Sequence, residues 1–149
     1  MKILITSGGT TEKIDSVRGI TNHATGTLGK YIAEAFLEKG YQVTLVTTKE
    51  AVKPKDHPLL TVQIITNVDS LLSTLEPLVK THDVFIHSMA VSDYTPVYMT
   101  DLNEVEQAEH VSDLLNRQNT ESKISSKEDY QVLFMKKTPK DFCSENLES

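Results

Sequence analysis

The chain has 149 residues, a length that suits one domain with room for a buried core. Its formal net charge of −6 argues against a nucleic-acid-binding surface, which needs a basic patch. The single cysteine, Cys143, excludes an internal disulfide and fits a reducing cytoplasm. The sequence contains no membrane-length apolar run. We therefore expect a cytoplasmic protein without nucleic-acid or membrane partners.

The chain begins with a strand, a glycine turn and the start of a helix. The apolar run Ile3–Ile5 is typical of a buried parallel strand, and Ser7-Gly8-Gly9-Thr10 follows it with two flexible residues. The segment Ala24–Gly29 then opens an amphipathic helix. This order directs backbone N–H groups and the positive end of a helix dipole towards one point. The pattern predicts an anion-binding α/β domain.

The connection between this strand and this helix is unusually long. Strand-to-helix connections usually take about 2–6 residues, whereas this one runs from Ser7 to Thr25. Long ordered loops at this position are often functional, although a surface excursion is the alternative. The loop contains several side chains able to position a ligand: Glu12, Asp15, Arg18, Asn22 and His23. For Arg18, pairing with a loop carboxylate is the alternative to touching a ligand.

The remaining periodicity predicts a doubly wound sheet. Strands are expected at 42–48, 61–65 and 83–87, and helices at 28–38 and 69–80. Gly40 ends the first helix, Thr25 or Thr27 caps its start, and Pro77 ends or bends the second helix. With strand order 3-2-1-4-5, strand 61–65 lies at the edge, and the loops after strands one and four face each other.

The last third of the chain gives weaker patterns. We expect an extended arm at 97–99, an acidic amphipathic helix at 102–115, a polar lid-like stretch at 116–129 and a strand at 130–135.

Three sequence blocks resemble one enzyme family. The segment from Ser7 to Gly29 resembles the signature GGT-x-E-x-I-D-x-V-R-x-I-x-N-x-S-S-G-x-x-G of the phosphopantothenoylcysteine synthetases (phosphopantothenate–cysteine ligases). Ala90–Pro96 is similar to the family's A-V-A-D-Y/W-x-P. Lys123-Ile124, followed by Leu133 and Lys137-Thr138-Pro139, resembles its lid, strand and T-P-D segment.

The resemblance implies a fold and an activity. The fold is α/β, a Rossmann-like, doubly wound, mostly parallel sheet with helices on both faces. The activity joins 4'-phosphopantothenate to L-cysteine through a CTP-derived acyl-cytidylate, with Mg²⁺, in coenzyme A biosynthesis. The implied organisation is a synthetase domain over 1–140, with a lid and dimerisation arm at about 94–129 that builds a homodimer, and a polar tail over 141–149.

The resemblance also assigns roles to residues. Asn22, which matches the family asparagine that holds the acyl intermediate, and Lys123, as the lid cation, would be catalytic. Asp93 would orient nucleotide hydroxyls or help to hold Mg²⁺. The nucleotide and its phosphates would bind at Gly8, Gly9, Thr10, Thr25, Gly26 and Asp93. Structural alternatives remain for each type: a tight turn for the glycines, loop hydrogen bonding for Asn22, a turn for Asp93 and solvated surface for Lys123.

The chain departs from the family pattern in places. Ala24-Thr25 replaces Ser-Ser, Met89 and Ser92 replace alanines, and Ser125-Ser126 replaces a lysine pair. After Lys137-Thr138-Pro139 a polar tail stands where the family has a helix, a G-F strand and a K-x-x-D-x-x-x-x-N segment, so we expect a domain that is incomplete at its carboxyl terminus.

Two other functions stay open: a catalytically impaired nucleotide-binding module and an NAD(P)-dependent oxidoreductase. The oxidoreductase is disfavoured because no G-x-G-x-x-G follows the first strand and Thr47-Thr48 stands where an acidic residue would bind ribose.

Overall fold

A computed structural model of the chain describes residues 1–120, 124–125 and 127–139. Two compact units divide these residues: the first comprises Met1–Thr11, Thr21–Ser92 and Pro139, and the second comprises Glu12–Ile20 and Asp93–Thr138. The strands are β1 (Lys2–Thr6), β2 (Thr11–Lys13), β3 (Gly19–Thr21), β4 (Gln42–Thr47), β5 (Leu60–Ile64), β6 (Val84–His87), β7 (Tyr94–Asp101) and β8 (Gln131–Lys137). The helices are α1 (Thr27–Glu38), α2 (Val68–Val79), α3 (Leu102–Gln107) and a 3-10 helix at Val111–Asn116.

The first unit is built on a parallel four-stranded sheet. Its strand order is β5-β4-β1-β6, and Ile3 of the inner strand β1 lies opposite Val43 on one side and Val84 on the other. The predicted order of the first four strands and the predicted edge position of the third are therefore confirmed. Within the described residues no fifth strand joins this sheet.

Helices cover both faces of the sheet because successive side chains on a strand point in opposite directions. On one face α1 contributes Ala33 and Leu37 to a core with Ile3, Ile5, Val43 and Leu45. On the other face α2 contributes Leu71 and Leu75 to a core with Leu4 and Val46. The predicted doubly wound α/β architecture is confirmed.

The predicted end of α1 is confirmed, whereas its predicted N-terminal cap is wrong. Gly40, with φ of 82°, follows the helix and donates its N–H to the Leu37 carbonyl, as expected for a helix stop. The predicted caps Thr25 and Thr27 are wrong, because Gly26 occupies the N-cap position with φ of 83° and no side-chain cap bond is present.

Helix α2 begins with a reciprocal cap. Asn67 accepts the Ser70 N–H, and the Ser70 hydroxyl accepts the Asn67 N–H. Pro77 lies inside the helix, which continues to Val79. The proline therefore lies within the last turn of the helix.

The second unit is an antiparallel pair of strands with short helical pieces. Strands β7 and β8 run from Tyr94 opposite Lys137 to Asp101 opposite Gln131, so the predicted arm and the predicted last strand both belong to this antiparallel pair. The single helix predicted at 102–115 is wrong: α3 ends at Gln107, and the backbone is extended at Ala108 and at His110. Apolar spacing here lacks a buried face, since Leu114 alone is buried between 102 and 116.

Among the described residues, the helices are all too short or too polar to cross a lipid bilayer.

Candidate functional site

The loops that follow β1 and β6 are in contact. The Ser88 N–H donates to the Thr6 carbonyl at 3.1 Å, the Ala90 N–H to the Gly8 carbonyl at 2.9 Å, and the Thr10 N–H to the Ala90 carbonyl at 3.0 Å. Gly9 and Ala90 thus form a parallel bridge beyond both strands. The pairing of β1 with β6 therefore continues into the two loops that sequence reasoning placed face to face.

The two glycines of the first loop have no room for a side chain. Gly8 has φ of 85°, and a Cβ there would lie 2.9 Å from the Thr48 hydroxyl. At Gly9 a Cβ would lie 2.2 Å from the Asn22 carbonyl oxygen, which is a severe clash. Glycine is thus required by left-handed backbone at the first position and by close approach of another loop at the second.

The start of α1 lies beside this glycine turn. A Cβ on Gly26 would stand 3.6 Å from the Gly8 nitrogen, and a Cβ on Gly29 would stand 2.4 Å from the Ser7 Cβ. The first N–H groups of a helix lack intrahelical acceptors and carry partial positive charge. Within the described residues, neither the Gly8 nor the Gly9 N–H donates to a backbone carbonyl. Donors from the turn and from the helix start are therefore brought together, as an anion site requires.

Thr25 presents its hydroxyl at the start of the helix. Its side chain is exposed, and its hydroxyl lies 2.8 Å from that of Thr27. The backbone carbonyl of Thr25 accepts the Val52 N–H at 3.0 Å, which ties the residue to the loop after β4. An exposed hydroxyl on a fixed backbone is suited to contact a phosphate.

A hydrogen-bonded cluster of three side chains joins the two loops. Thr10 is fully buried, and its Oγ1 lies 2.9 Å from the Ser92 Oγ and accepts the Ser92 N–H at 2.9 Å. The Asn22 Nδ2 donates to the Ser92 Oγ at 2.9 Å and to the Thr10 carbonyl at 3.4 Å. Sequence reasoning selected Thr10 and Asn22, but it noted Ser92 only as a departure from alanine. A serine within a matched motif was the available signal.

At the carboxyl end of β4, buried hydroxyl groups form hydrogen bonds with the residue that follows β1. The Ser7 hydroxyl donates to the Thr47 Oγ1 at 2.9 Å, and the Thr47 hydroxyl donates to the Ser7 carbonyl at 3.0 Å. Both residues are fully buried, and Thr48 is nearly so. A dinucleotide-binding domain would have a carboxylate at the end of this strand to bind ribose. This chain has Thr47 there, and its hydroxyl already forms hydrogen bonds with Ser7.

Of the two remaining predicted site residues, Asp93 belongs to the second unit and Lys123 is not among the described residues. Asp93 directly follows Ser92, belongs to the second unit and is exposed, and its backbone carbonyl accepts the Thr138 N–H at 2.9 Å. Lys123 lies outside the described residues, so its predicted role stays a prediction, as does the tail at 141–149.

Potential metal ligands are sparse. Across the described residues no three His, Cys, Asp or Glu side chains cluster as a metal site would require. Mg²⁺ is commonly held by one or two carboxylates together with substrate phosphates and water. A single carboxylate such as Asp93 therefore fits Mg²⁺ only when the ion arrives with a nucleotide.

In the second unit, a charged pair in the long connection forms hydrogen bonds with the backbone of Ile124. The Asp15 carboxylate accepts the backbone N–H of Ile124 at 3.0 Å and pairs with the Arg18 Nη2 at 2.9 Å. The same Arg18 nitrogen donates to the Ile124 carbonyl at 2.7 Å. The N–H donated by Ile124, together with the Arg18 guanidinium, holds the pKa of Asp15 well below its usual range. Arg18 therefore pairs with a loop carboxylate, which is one of the two alternatives left by the sequence.

A second polar cluster surrounds Glu104 on α3. Its carboxylate accepts the hydroxyls of Thr100 and Tyr98 and pairs with Arg117. The Thr100 hydroxyl is the largest cause that lowers the pKa of Glu104, and Tyr98 and Arg117 lower it further. The cluster joins β7, α3 and the residue after the 3-10 helix.

Fold and site together define an α/β domain with a glycine-containing loop at the carboxyl ends of two adjacent parallel strands. The sequence model of the family described as "DNA/pantothenate metabolism flavoprotein C-terminal domain" matches residues 1–121. The chain belongs to this family. The predicted resemblance to the phosphopantothenoylcysteine synthetases is thereby confirmed at the level of the family.

Individual relatives agree with this assignment. The coenzyme A biosynthesis bifunctional protein CoaBC of Methanocaldococcus jannaschii is 37% identical over 97 residues, which cover 63% of this chain and 23% of that protein. The crystal structure of the DNA/pantothenate metabolism flavoprotein from Streptococcus pneumoniae is 58% identical with a TM-score of 0.89, over 94% of this chain and 61% of that one. The C-terminal domain of a CoaBC protein is 37% identical with a TM-score of 0.59, over 65% of this chain and 48% of that one. The chain thus spans about a quarter of the length of the curated relatives it matches.

Proposed function

We propose that the chain is a phosphopantothenate–cysteine ligase that acts in coenzyme A biosynthesis with CTP as co-substrate. Family membership supports this proposal, since CoaBC relatives are named for coenzyme A biosynthesis. The observation that carries it is the contact between the loop Gly8–Thr10 and the loop Ala90–Ser92 beside the start of α1. This arrangement gathers N–H donors where a triphosphate would need them.

The proposed reaction has two steps. A carboxylate oxygen of 4'-phosphopantothenate attacks the α-phosphorus of CTP, the bond to the β-phosphate oxygen breaks, and pyrophosphate leaves. The amine nitrogen of L-cysteine then attacks the acyl carbon of the resulting acyl-cytidylate, the bond from this carbon to the CMP oxygen breaks, and the nitrogen loses a proton. Both steps move negative charge among phosphate oxygens, so they need fixed donors rather than a protein nucleophile.

The residues of the first unit take roles that follow from their positions. The N–H groups of Gly8 and Gly9 and those at the start of α1 would donate to the triphosphate, and the exposed Thr25 hydroxyl would contact one phosphate. By the resemblance, rather than by its position, Asn22 would lie at the reacting acyl group. Thr10, which is buried, holds the loop by its side chain and offers no exposed hydroxyl.

The finer parts of the proposal rest on the resemblance. Asp93 would bind nucleotide hydroxyls or the Mg²⁺ that accompanies CTP, and Lys123 would reach the phosphates from the lid. Mg²⁺ would supply charge neutralisation at the phosphates. The protein would act as a homodimer in the cytoplasm.

Pyrophosphate release tests the proposal directly. The protein, incubated with CTP, Mg²⁺ and 4'-phosphopantothenate, is expected to release pyrophosphate, and adding L-cysteine is expected to yield 4'-phosphopantothenoylcysteine. Omission of 4'-phosphopantothenate is the negative control. Replacing CTP by ATP measures nucleotide preference.

A matched pair of variants tests the phosphate site. Thr25→Val is expected to raise the KM for CTP by about ten-fold, because one hydrogen bond to a charged phosphate is lost. Thr61→Val, an equivalent change at an exposed position of strand β5, is expected to leave KM unchanged. Equal effects of the two changes would argue against a phosphate contact at Thr25.

Titration with nucleotides separates the other functions. CTP binding without pyrophosphate release would indicate a catalytically impaired nucleotide-binding module. Binding of NADH with none of CTP would overturn the proposal in favour of an oxidoreductase.

A further inference from the structure

The side-chain nitrogen of Asn22 faces two protein acceptors. Its Nδ2 donates to the Ser92 Oγ at 2.9 Å and to the Thr10 carbonyl at 3.4 Å. A backbone carbonyl only accepts hydrogen bonds, so the atom that faces Thr10 is the nitrogen and not the amide oxygen. The network therefore fixes which end of the Asn22 amide points inward.

The remaining polar atom of this side chain is an acceptor. Asn22 is half-buried, and within the described part of the chain its Oδ1 takes part in no hydrogen bond. An amide oxygen receives hydrogen bonds from N–H or O–H groups and repels another carbonyl or phosphate oxygen. To donate to an acyl carbonyl, the Asn22 amide would have to rotate and leave the Thr10 carbonyl and Ser92 without this donor.

Ser92 and Thr10 form the support for this orientation. The Ser92 N–H donates to the Thr10 Oγ1 at 2.9 Å, and the two hydroxyl oxygens lie 2.9 Å apart. Ser92 is 8% exposed and Thr10 is fully buried, so water competes little for these bonds. Alanine at position 92 would remove the acceptor that holds Asn22 while leaving the backbone contacts intact.

On the basis of the proposed ligase function, we infer that Asn22 binds the amine of L-cysteine through its Oδ1, and that Ser92 is the positioning residue that holds the amide in this orientation. Among the proposed reactants at the acyl group, the amine is the hydrogen-bond donor, whereas the acyl and phosphate groups carry acceptors. An acceptor in a fixed position directs the amine nitrogen towards the acyl carbon without taking part in the first step.

The two half-reactions provide the test. Ser92→Ala is expected to raise the KM for L-cysteine by about five-fold, the usual effect of one lost neutral hydrogen bond. The rate of pyrophosphate release at saturating CTP and 4'-phosphopantothenate is expected to stay within two-fold of the unaltered protein. Ser92→Thr keeps a hydroxyl and is expected to restore the KM.

Ser88→Ala is the matched control. Its hydroxyl donates to the Thr6 carbonyl at 2.7 Å in the same segment and makes no bond to Asn22 among the described residues. A merely structural role of Ser92 would make the two alanine variants alike in both half-reactions, and that result would overturn the inference. So would a Ser92→Ala protein in which pyrophosphate release falls while the KM for L-cysteine is unchanged.

A measurement without turnover completes the test. In ¹⁵N-labelled protein the side-chain NH₂ signal of Asn22, identified by its loss in Asn22→Asp, is expected to show slow hydrogen exchange that becomes fast in Ser92→Ala. Fast exchange in the unaltered protein would overturn the orientation itself. Absence of pyrophosphate release from the unaltered protein would instead overturn the ligase proposal, and the cysteine assignment would fall with it.

Discussion

The two units of the chain are stabilised by different interactions. The first unit buries apolar side chains on both faces of a parallel sheet, and its core includes Leu4, Leu71 and Leu75. In the second unit the fully or nearly fully buried apolar side chains among the described residues are Leu114 and Ile124. Polar clusters around Asp15 and Glu104 hold its segments together. This contrast predicts that substitutions that change side-chain volume destabilise the first unit most. Substitutions that change side-chain charge are expected to affect the stability of the second unit.

The largest expected effect is a cavity in the first unit. Leu71→Ala removes a fully buried side chain between α2 and the sheet, and we expect it to lower the free energy of unfolding by about 3 kcal/mol. Urea unfolding followed by circular dichroism measures the loss. Leu28→Ala, at a position of α1 that is 64% exposed, is the control and is expected to change stability by less than about 0.5 kcal/mol.

The next effect concerns the glycine turn. Gly9→Ala places a Cβ 2.2 Å from the Asn22 carbonyl oxygen, so the loops must move apart, and we expect a loss of about 2 kcal/mol in the same assay. Gly40→Ala isolates the backbone cost, because its φ is 82° and, beyond its two chain neighbours, no atom lies within 4 Å of the added Cβ. We expect about 1 kcal/mol for it. A smaller loss for Gly9→Ala than for Gly40→Ala would contradict the close approach.

A smaller effect is expected for charge in the second unit. Glu104→Gln weakens the bonds from Thr100, Tyr98 and Arg117, and we expect a loss of about 1 kcal/mol because the cluster is partly exposed. Added salt is expected to reduce the difference. Glu106→Gln on the same helix, at an exposed position, serves as the control. A loss of stability in Glu106→Gln as large as that in Glu104→Gln would contradict the proposed difference between the two units.

The finest test is the dependence on pH. The pKa of Asp15 is lowered in the folded protein, so its ionised form stabilises the fold at neutral pH, and this contribution is lost as the pH falls below the ordinary aspartate value of about 4. We expect Asp15→Asn to have a lower Tm than the unaltered protein at pH 7, with the difference shrinking progressively in acid. Asp56→Asn, in an exposed loop, is expected to give no such trend. A difference between Asp15→Asn and the unaltered protein that grows in acid would show that the sign is wrong.

The sequence predicted the sheet because local patterns determine it. The run Ile3–Ile5 and the stop at Gly40 are readable from composition and spacing, and strand order follows from general rules of parallel sheets. The contact between the two loops followed from the same geometry. The helix at 102–115 failed because apolar spacing indicates a helix only when one face becomes buried, and here only Leu114 does.

The details of the site depended on contacts between distant parts of the chain. A Cβ on the left-handed Gly26 at the helix start would lie 3.0 Å from the Ala51 Cβ, a close approach that no local pattern encodes. Ser92 hydrogen-bonds to Thr10 and Asn22, which lie 82 and 70 residues away in the chain, so this contact depends on the tertiary fold. The sequence could therefore identify candidate residues, but the direction of the Asn22 amide required coordinates.

The bridge between Gly9 and Ala90 has a consequence for the energetics of ligand capture. Since the β1–β6 ladder extends through it into both loops, their backbone is already ordered before any ligand arrives. Little conformational entropy then remains to be lost on association, and more of the contact energy is expressed as affinity. The glycine turn therefore extends the hydrogen-bonded pairing of the central sheet and is preorganised for binding.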